Sequence, residues 1–114
     1  MRVPIDQIST PTYNLDLASA TLELVRTGAT GIFHVCGPEL LSRYDFAVKT
    51  ANIMGLDASL IAGVRTAELH QKAPRPLRAG LRIEKLKTSL PFIVMRSAQD
   101  AVTEWKNALQ GAHA

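Results

Sequence analysis

The feature that most constrains this 114-residue chain is its shortage of strand. Ile32-Phe33-His34-Val35-Cys36 is a β-rich run, opened by Gly31 and closed by Gly37-Pro38. Leu60 to Val64 forms a second. One or two short strands make a poor independent sheet. The first run shows no clean alternation of apolar and polar residues, so it reads as a strand covered on both faces. A helix–strand–helix order around it resembles one unit of a parallel sheet whose neighbouring strands lie elsewhere.

Helical patterns fill most of the rest. Leu15, Leu17, Ala18, Ala20, Leu22, Leu24 and Val25 form an apolar stripe, with Thr12 or Asn14 as cap and Gly28 as stop. Phe46, Ala47, Ala51, Ile53 and Met54 form another, capped by Ser42, with Asp45 in the first turn and Gly55 at its end. One helical turn is expected over 66–70 and a short helix over 82–89. A last helix is expected near 97–110, capped by Ser97, with Ala98, Ala101, Val102, Trp105 and Leu109 on one face. Residues 1–13 should be extended or looped, because Pro4 and Pro11 exclude helix. Ala73-Pro74-Arg75-Pro76 should be an extended loop. The fold class is therefore α/β, helices with one or two short strands.

Several functions are excluded by what the chain lacks. No Gly-x-Gly-x-x-Gly loop follows a strand, and Gly28-x-x-Gly31 lies between helix and strand, the reverse of a dinucleotide site. No phosphate-binding P-loop motif is present. Tyr44 and Lys49 are five apart and fall on different helix faces, unlike a proton-transfer pair. The lone Cys36 allows no internal disulfide and reads as a small core residue. His34, His70 and His113 lack metal-ligand spacing; His34 is expected in the core and His70 at the surface. No apolar run suits a signal peptide or a membrane span, so the expectation is a cytoplasmic protein with no membrane partner. Neither catalytic residues nor metal ligands are assigned.

Two segments suit ligand binding. Asp6 to Tyr13 packs hydrogen-bonding groups into a stiff loop directly before a helix, and such loops line pockets. In Ala73-Pro74-Arg75-Pro76 the prolines fix the backbone around one guanidinium, whose fork suits a phosphate. Between Arg65 and Lys87 seven Lys or Arg, with His70, face only Glu68 and Glu84, a bias that also favours a phosphorylated ligand. The same region lacks aromatic interleaving, so nucleic acid is not an expected partner.

Read in order, these motifs resemble the extended short-chain dehydrogenase/reductase superfamily, most closely its RmlD-like (dTDP-4-dehydrorhamnose reductase-like) branch. Asp6-Gln7, Pro11-Thr12-Tyr13 and Asp16-Leu17-Ala18 are similar to that family's DQ…PT…DLA segment. Gly31 to Gly37 is similar to its GIYHVSG strand, and Ser42 to Ala47 to its S-x-YEFA helix start. Ala73-Pro74-Arg75-Pro76, with Leu81 and Leu86, is similar to its A-x-RP…L…KL block. The resemblance implies the C-terminal, substrate-binding fragment of an extended Rossmann-type enzyme, over residues 1–110, with 111–114 a frayed tail. It implies that Arg75 approaches the pyrophosphate of a nucleotide-sugar and that Pro11, Thr12 and Tyr13 lie near substrate or cofactor. The family's cofactor is NAD(P)H, whose glycine-rich loop and catalytic Tyr and Lys have no counterpart here. The chain alone is then expected to bind no cofactor and to be inactive. Its expected partners are the missing N-terminal half or a reductase subunit, or a second copy through self-association. The alternative is a non-catalytic nucleotide-sugar-binding or subunit-docking module. Two departures stand out: Ile8-Ser9-Thr10 replaces the family's glycine, and Leu77 to Arg82 brings in Arg78 and Arg82 where the family has polar and acidic residues.

Overall fold

A computed structural model describes residues 1–112. Among the described residues four short strands and four helices follow one another: β1 (Arg2–Pro4), β2 (Ile8–Ser9), α1 (Asn14–Arg26), β3 (Leu41–Ser42), α2 (Arg43–Met54), β4 (Ala62–Val64), α3 (Glu84–Ser89) and α4 (Ala98–Gly111). Single 3-10 turns occupy Ala58–Leu60 and Thr66–Leu69. β1 runs parallel to β4, with Arg2 opposite Ala62. β2 runs antiparallel to β3, with Ile8 opposite Ser42, and bridges in parallel to Arg78 on its other side.

The local signals act where the chemistry requires. Ser42 Oγ accepts from Asp45 N at 2.9 Å and starts α2, and Gly55 ends it at φ +75°. Ser97 Oγ accepts from Asp100 N at 3.1 Å and starts α4. The start of α1 differs from expectation. Tyr13 is its cap and contributes no side-chain bond, because the Thr12 hydroxyl donates to Thr10 O and accepts from Gly37 N instead. The second expected strand begins at Ala62, two residues late, because Asp57 accepts from Ser59 N and winds Ala58–Leu60 into a turn. Gly111 closes α4, so the expected tail starts inside a helix; residues 113 and 114 lie outside the described residues, His113 with them.

The expected strand over 32–36 does not form. β3 pairs with β2, and Gly37 then abuts Pro11 and Thr12. At Asn14 the companion chain turns into α1. Residues 32–36 run on past the end of their neighbour and find no backbone partner among the described residues. His34, expected in the core, is exposed, while Phe33 and Val35 turn inward. Cys36 is buried as expected.

The core is small: Cys36, Ile83, Leu86 and Leu90, flanked by Leu24, Phe33, Val35, Ile93 and Met95. α2 packs on α4, where Lys106 Nζ donates to Ile53 O at 2.7 Å near the C-terminal end of α2. The molecule measures 45 × 42 × 20 Å, a plate about two layers thick. Its radius of gyration is 16.3 Å, whereas a compact chain of this length has about 13 Å. Its accessible surface is 7798 Å², whereas a monomer of this mass typically shows about 6,100 Å². Several large apolar residues are more than half exposed, among them Leu22 and Val25 on α1, Ile32, Phe92 and Val94.

Candidate ligand-binding site

The loop entering α1 forms one wall of a cavity of about 510 Å³. Pro11, Thr12 and Tyr13 line it from the loop, Phe46 from α2, and Val102 and Trp105 from α4. Tyr13 is the one ionisable residue on its wall among the described residues. Such a lining binds flat apolar surface against aromatic faces and supplies no carboxylate or imidazole for proton transfer.

Tyr13 is fixed from behind. The Arg96 guanidinium lies over its ring, 5.5 Å from the centroid. That guanidinium is held by Asp16, which is 4 % exposed and also accepts from Arg96 N at 2.7 Å. A buried carboxylate therefore ties the first turn of α1 to the segment leading into α4.

Arg75 lies elsewhere. It is exposed, forms no ion pair or side-chain hydrogen bond among the described residues, and does not line that cavity. Its loop is nonetheless anchored. Ile8 N donates to Leu77 O at 2.8 Å, and Ala79 N donates to Ile8 O at 2.9 Å. The buried Gln7 donates to Gln71 Oε1 at 3.1 Å from the same side. Asp6 accepts from the Thr66 hydroxyl at 2.6 Å and from Thr66 N at 3.0 Å. The Thr66 hydroxyl is the main cause holding the Asp6 carboxyl below its ordinary range. Lys72, Arg78 and Arg82 share the exposed loop with Arg75, and Arg82 is engaged by Glu84.

The candidate residues thus fall in two places, an aromatic cavity at Pro11–Tyr13 and a cationic loop at Arg75. Sequence reasoning placed Phe46 and Trp105 on apolar helix stripes and missed them as cavity walls; Trp105 is 48 % exposed. It also missed Asp16 as an anchor, although an acid amid α1's apolar residues was the visible signal. Tyr44 packs over Gly63, and no hydrogen bond joins it to Lys49 among the described residues. No group of three or more His, Cys, Asp or Glu could hold a metal among the described residues, and no described helix is long and apolar enough to cross a membrane.

Helix N-termini ordinarily bind phosphate. Here the three longer helices have carboxylates at theirs. Asp16 stands in the first turn of α1, and Asp45, bonded to Ser42 Oγ, in that of α2. Glu39 accepts from Ala98 N at 2.9 Å, and Asp100 is bonded to Ser97 Oγ at the start of α4. At these N-termini a carboxylate stands where an anion would otherwise be drawn.

The family model described as RmlD substrate binding domain matches residues 1–110. The dTDP-4-dehydrorhamnose reductase of Mycolicibacterium smegmatis is 33% identical over 114 aligned residues, covering 96% of this chain and 32% of that protein. The crystal structure of a dTDP-4-dehydrorhamnose reductase from Clostridium acetobutylicum superposes with a TM-score of 0.86 at 29% identity, over 96% of this chain and 39% of that one. The Bacillus anthracis dTDP-4-dehydrorhamnose reductase, solved in complex with NADP, gives 0.83 at 27% identity, over 91% of this chain and 36% of that one. The chain spans about a quarter to two fifths of the length of the curated relatives it matches. Its mixed helices and short strands are those of a Rossmann-like reductase fragment.

Proposed function

The chain belongs to the RmlD substrate-binding domain family, and from that premise we propose that it forms the nucleotide-sugar side of an NAD(P)-dependent reductase of the dTDP-4-dehydrorhamnose type. One observation carries the reading. Arg75 stands between two prolines on a loop hydrogen-bonded to β2, with no ion pair to a carboxylate among the described residues, while carboxylates stand at the N-termini of the three longer helices. A diphosphate offered to this chain meets a guanidinium on a loop whose backbone is anchored, and carboxylates at the N-termini of those helices. In this reading Pro11, Thr12 and Tyr13, which line the separate aromatic cavity, contribute apolar and hydroxyl contacts to the ligand.

The chemical step belongs to residues outside the chain. In a reductase of this type the nicotinamide supplies hydride and a tyrosine supplies the proton; neither a dinucleotide loop nor such a tyrosine is provided here. The chain's own part is to bind and orient, so it is inactive by itself and works with a polypeptide that carries the cofactor.

The test is titration of the purified chain with dTDP, UDP and NADPH, each separately, by calorimetry. The reading expects binding of a pyrimidine nucleoside diphosphate and none of NADPH. Arg75→Ala removes a charge-assisted contact worth about 1.5–3 kcal/mol, a loss of roughly ten- to a hundredfold in affinity. Equal affinity of Arg75→Ala and the parent chain removes Arg75 from the site.

A further inference from the structure

Arg78 has its main chain fixed on both sides. It pairs with Ile8 in a parallel bridge, closed by Ile8 N to Leu77 O at 2.8 Å and Ala79 N to Ile8 O at 2.9 Å. β2 in turn sets Ile8 opposite Ser42. Gly80 lies so near Leu40 that a Cβ there would run into that side chain, and Leu81 N donates to Thr10 Oγ1 at 3.4 Å. Residues 77–81 thus run alongside the β3–β2 pair as a third chain, and Arg78 stands at a defined place on it.

Its charge is not neutralised by the chain. Between Glu68 and Glu84 the sequence has Lys72, Arg75, Arg78 and Arg82 and no acid. Arg82 is paired with Glu84, and Glu68 accepts from Arg65 N. Asp6, between β1 and β2, is taken up by Thr66. Lys72, Arg75 and Arg78 are exposed and form no ion pair among the described residues. Arg75 and Arg78 are three residues apart, so their Cα atoms lie within about 11 Å of one another. Screening at physiological salt acts over about 8 Å, so both guanidinium groups bear on one ligand.

The loop therefore offers more positive charge than a diphosphate uses. A diphosphate joined at both ends carries one negative charge on each phosphate, and Lys72, Arg75 and Arg78 exceed that by one. The Pro11–Tyr13 cavity, whose aromatic walls suit a planar base, has no Lys or Arg on its wall. The surplus cation therefore falls to the sugar rather than to the base. Arg78 also stands in the stretch where the family's motif is polar and acidic, and an acid there would repel an acidic sugar.

We propose that Arg78 is a specificity-determining residue that binds a carboxylate on the sugar, so that the ligand is a nucleoside diphosphate joined to a uronic acid. The proposal rests on the functional reading above and narrows its substrate class. A guanidinium fork meets a carboxylate through two parallel hydrogen bonds. A neutral hydroxymethyl group in the same place offers no such pairing. The bridge to Ile8 supplies the fixed backbone from which that choice is made.

Calorimetry of the full chain with dTDP-glucose and dTDP-glucuronic acid tests this, since the two differ only in a hydroxymethyl against a carboxylate at C6. The parent chain should bind the acid about ten- to a hundredfold more tightly. Arg78→Gln should lose about tenfold or more in affinity for the acid and far less for dTDP-glucose. Its unfolding midpoint should match the parent's, because Arg78 is exposed and makes no ion pair. Arg78→Lys, which keeps the charge without the fork, should retain part of the preference. Equal binding of both sugars by the parent overturns the proposal and leaves the nucleotide-sugar reading standing. A preference that survives in Arg78→Gln does the same. Binding of neither sugar by the parent overturns both. Arg75→Ala should weaken the two ligands alike, which reads the diphosphate assignment separately.

Discussion

Replacing the buried Asp16 should destabilise the chain, and the amount can be worked from its contacts. Its carboxylate is 4 % exposed and accepts two hydrogen bonds from Arg96, one from the backbone N–H at 2.7 Å and one from the guanidinium. Asp16→Ala leaves that N–H without its acceptor in a partly buried place, which costs about 1–2 kcal/mol. The Arg96 side chain is 39 % exposed. It regains water, so the ion pair adds about 1 kcal/mol rather than the full cost of stranding a buried charge. The sum is about 2–3 kcal/mol, out of a total that for a chain of this length lies near 6–17 kcal/mol. The small core places this protein at the low end. Asp16→Asn keeps an acceptor for the N–H and should lose about 1 kcal/mol. In urea, with a slope of about 1–3 kcal/mol/M, the alanine variant should move the unfolding midpoint down by roughly 1 M or more. A double-mutant cycle with Arg96→Met should show coupling of about 1 kcal/mol. A midpoint unchanged by Asp16→Ala, or single changes that merely add, would refute this account of how α1 is tied to α4.

Three further outcomes are expected. Gly37→Ala should destabilise the chain by about 2 kcal/mol or more, because a Cβ there would lie 1.9 Å from the Pro11 carbonyl oxygen, which is backbone and cannot turn aside; urea unfolding reads it, and a neutral change would mean the two loops are not in contact. Thr66→Val should raise the Asp6 carboxyl toward its ordinary value, since the Thr66 hydroxyl is the largest cause of its depression; an NMR titration of that carboxyl checks it. With a native value below the unfolded one, Asp6 contributes stability above the unfolded carboxylate range and loses it as pH falls through the native value, so the variant's stability should fall less steeply on acidification. The chain alone, with its apolar excess, should self-associate with rising concentration in sedimentation; a compact monomer at all concentrations would count against an uncovered face.

What the residues determined by themselves was local. Ser42 with Asp45, Ser97 with Asp100 and the left-handed Gly55 set helix boundaries through contacts within four residues, so their effect reads directly from the chain. The family motifs carried the fold class for the same reason, being ordered short segments. Tertiary structure decided everything that joins distant positions. Asp16 meets Arg96 across 80 residues, and Tyr13 faces Trp105 across a cavity, pairings that no periodicity encodes. The clearest case is Ile32–Cys36. Its composition favours a strand, but a strand exists only when a neighbour supplies the other half of each hydrogen bond, and in this chain the neighbour turns into α1 at Asn14.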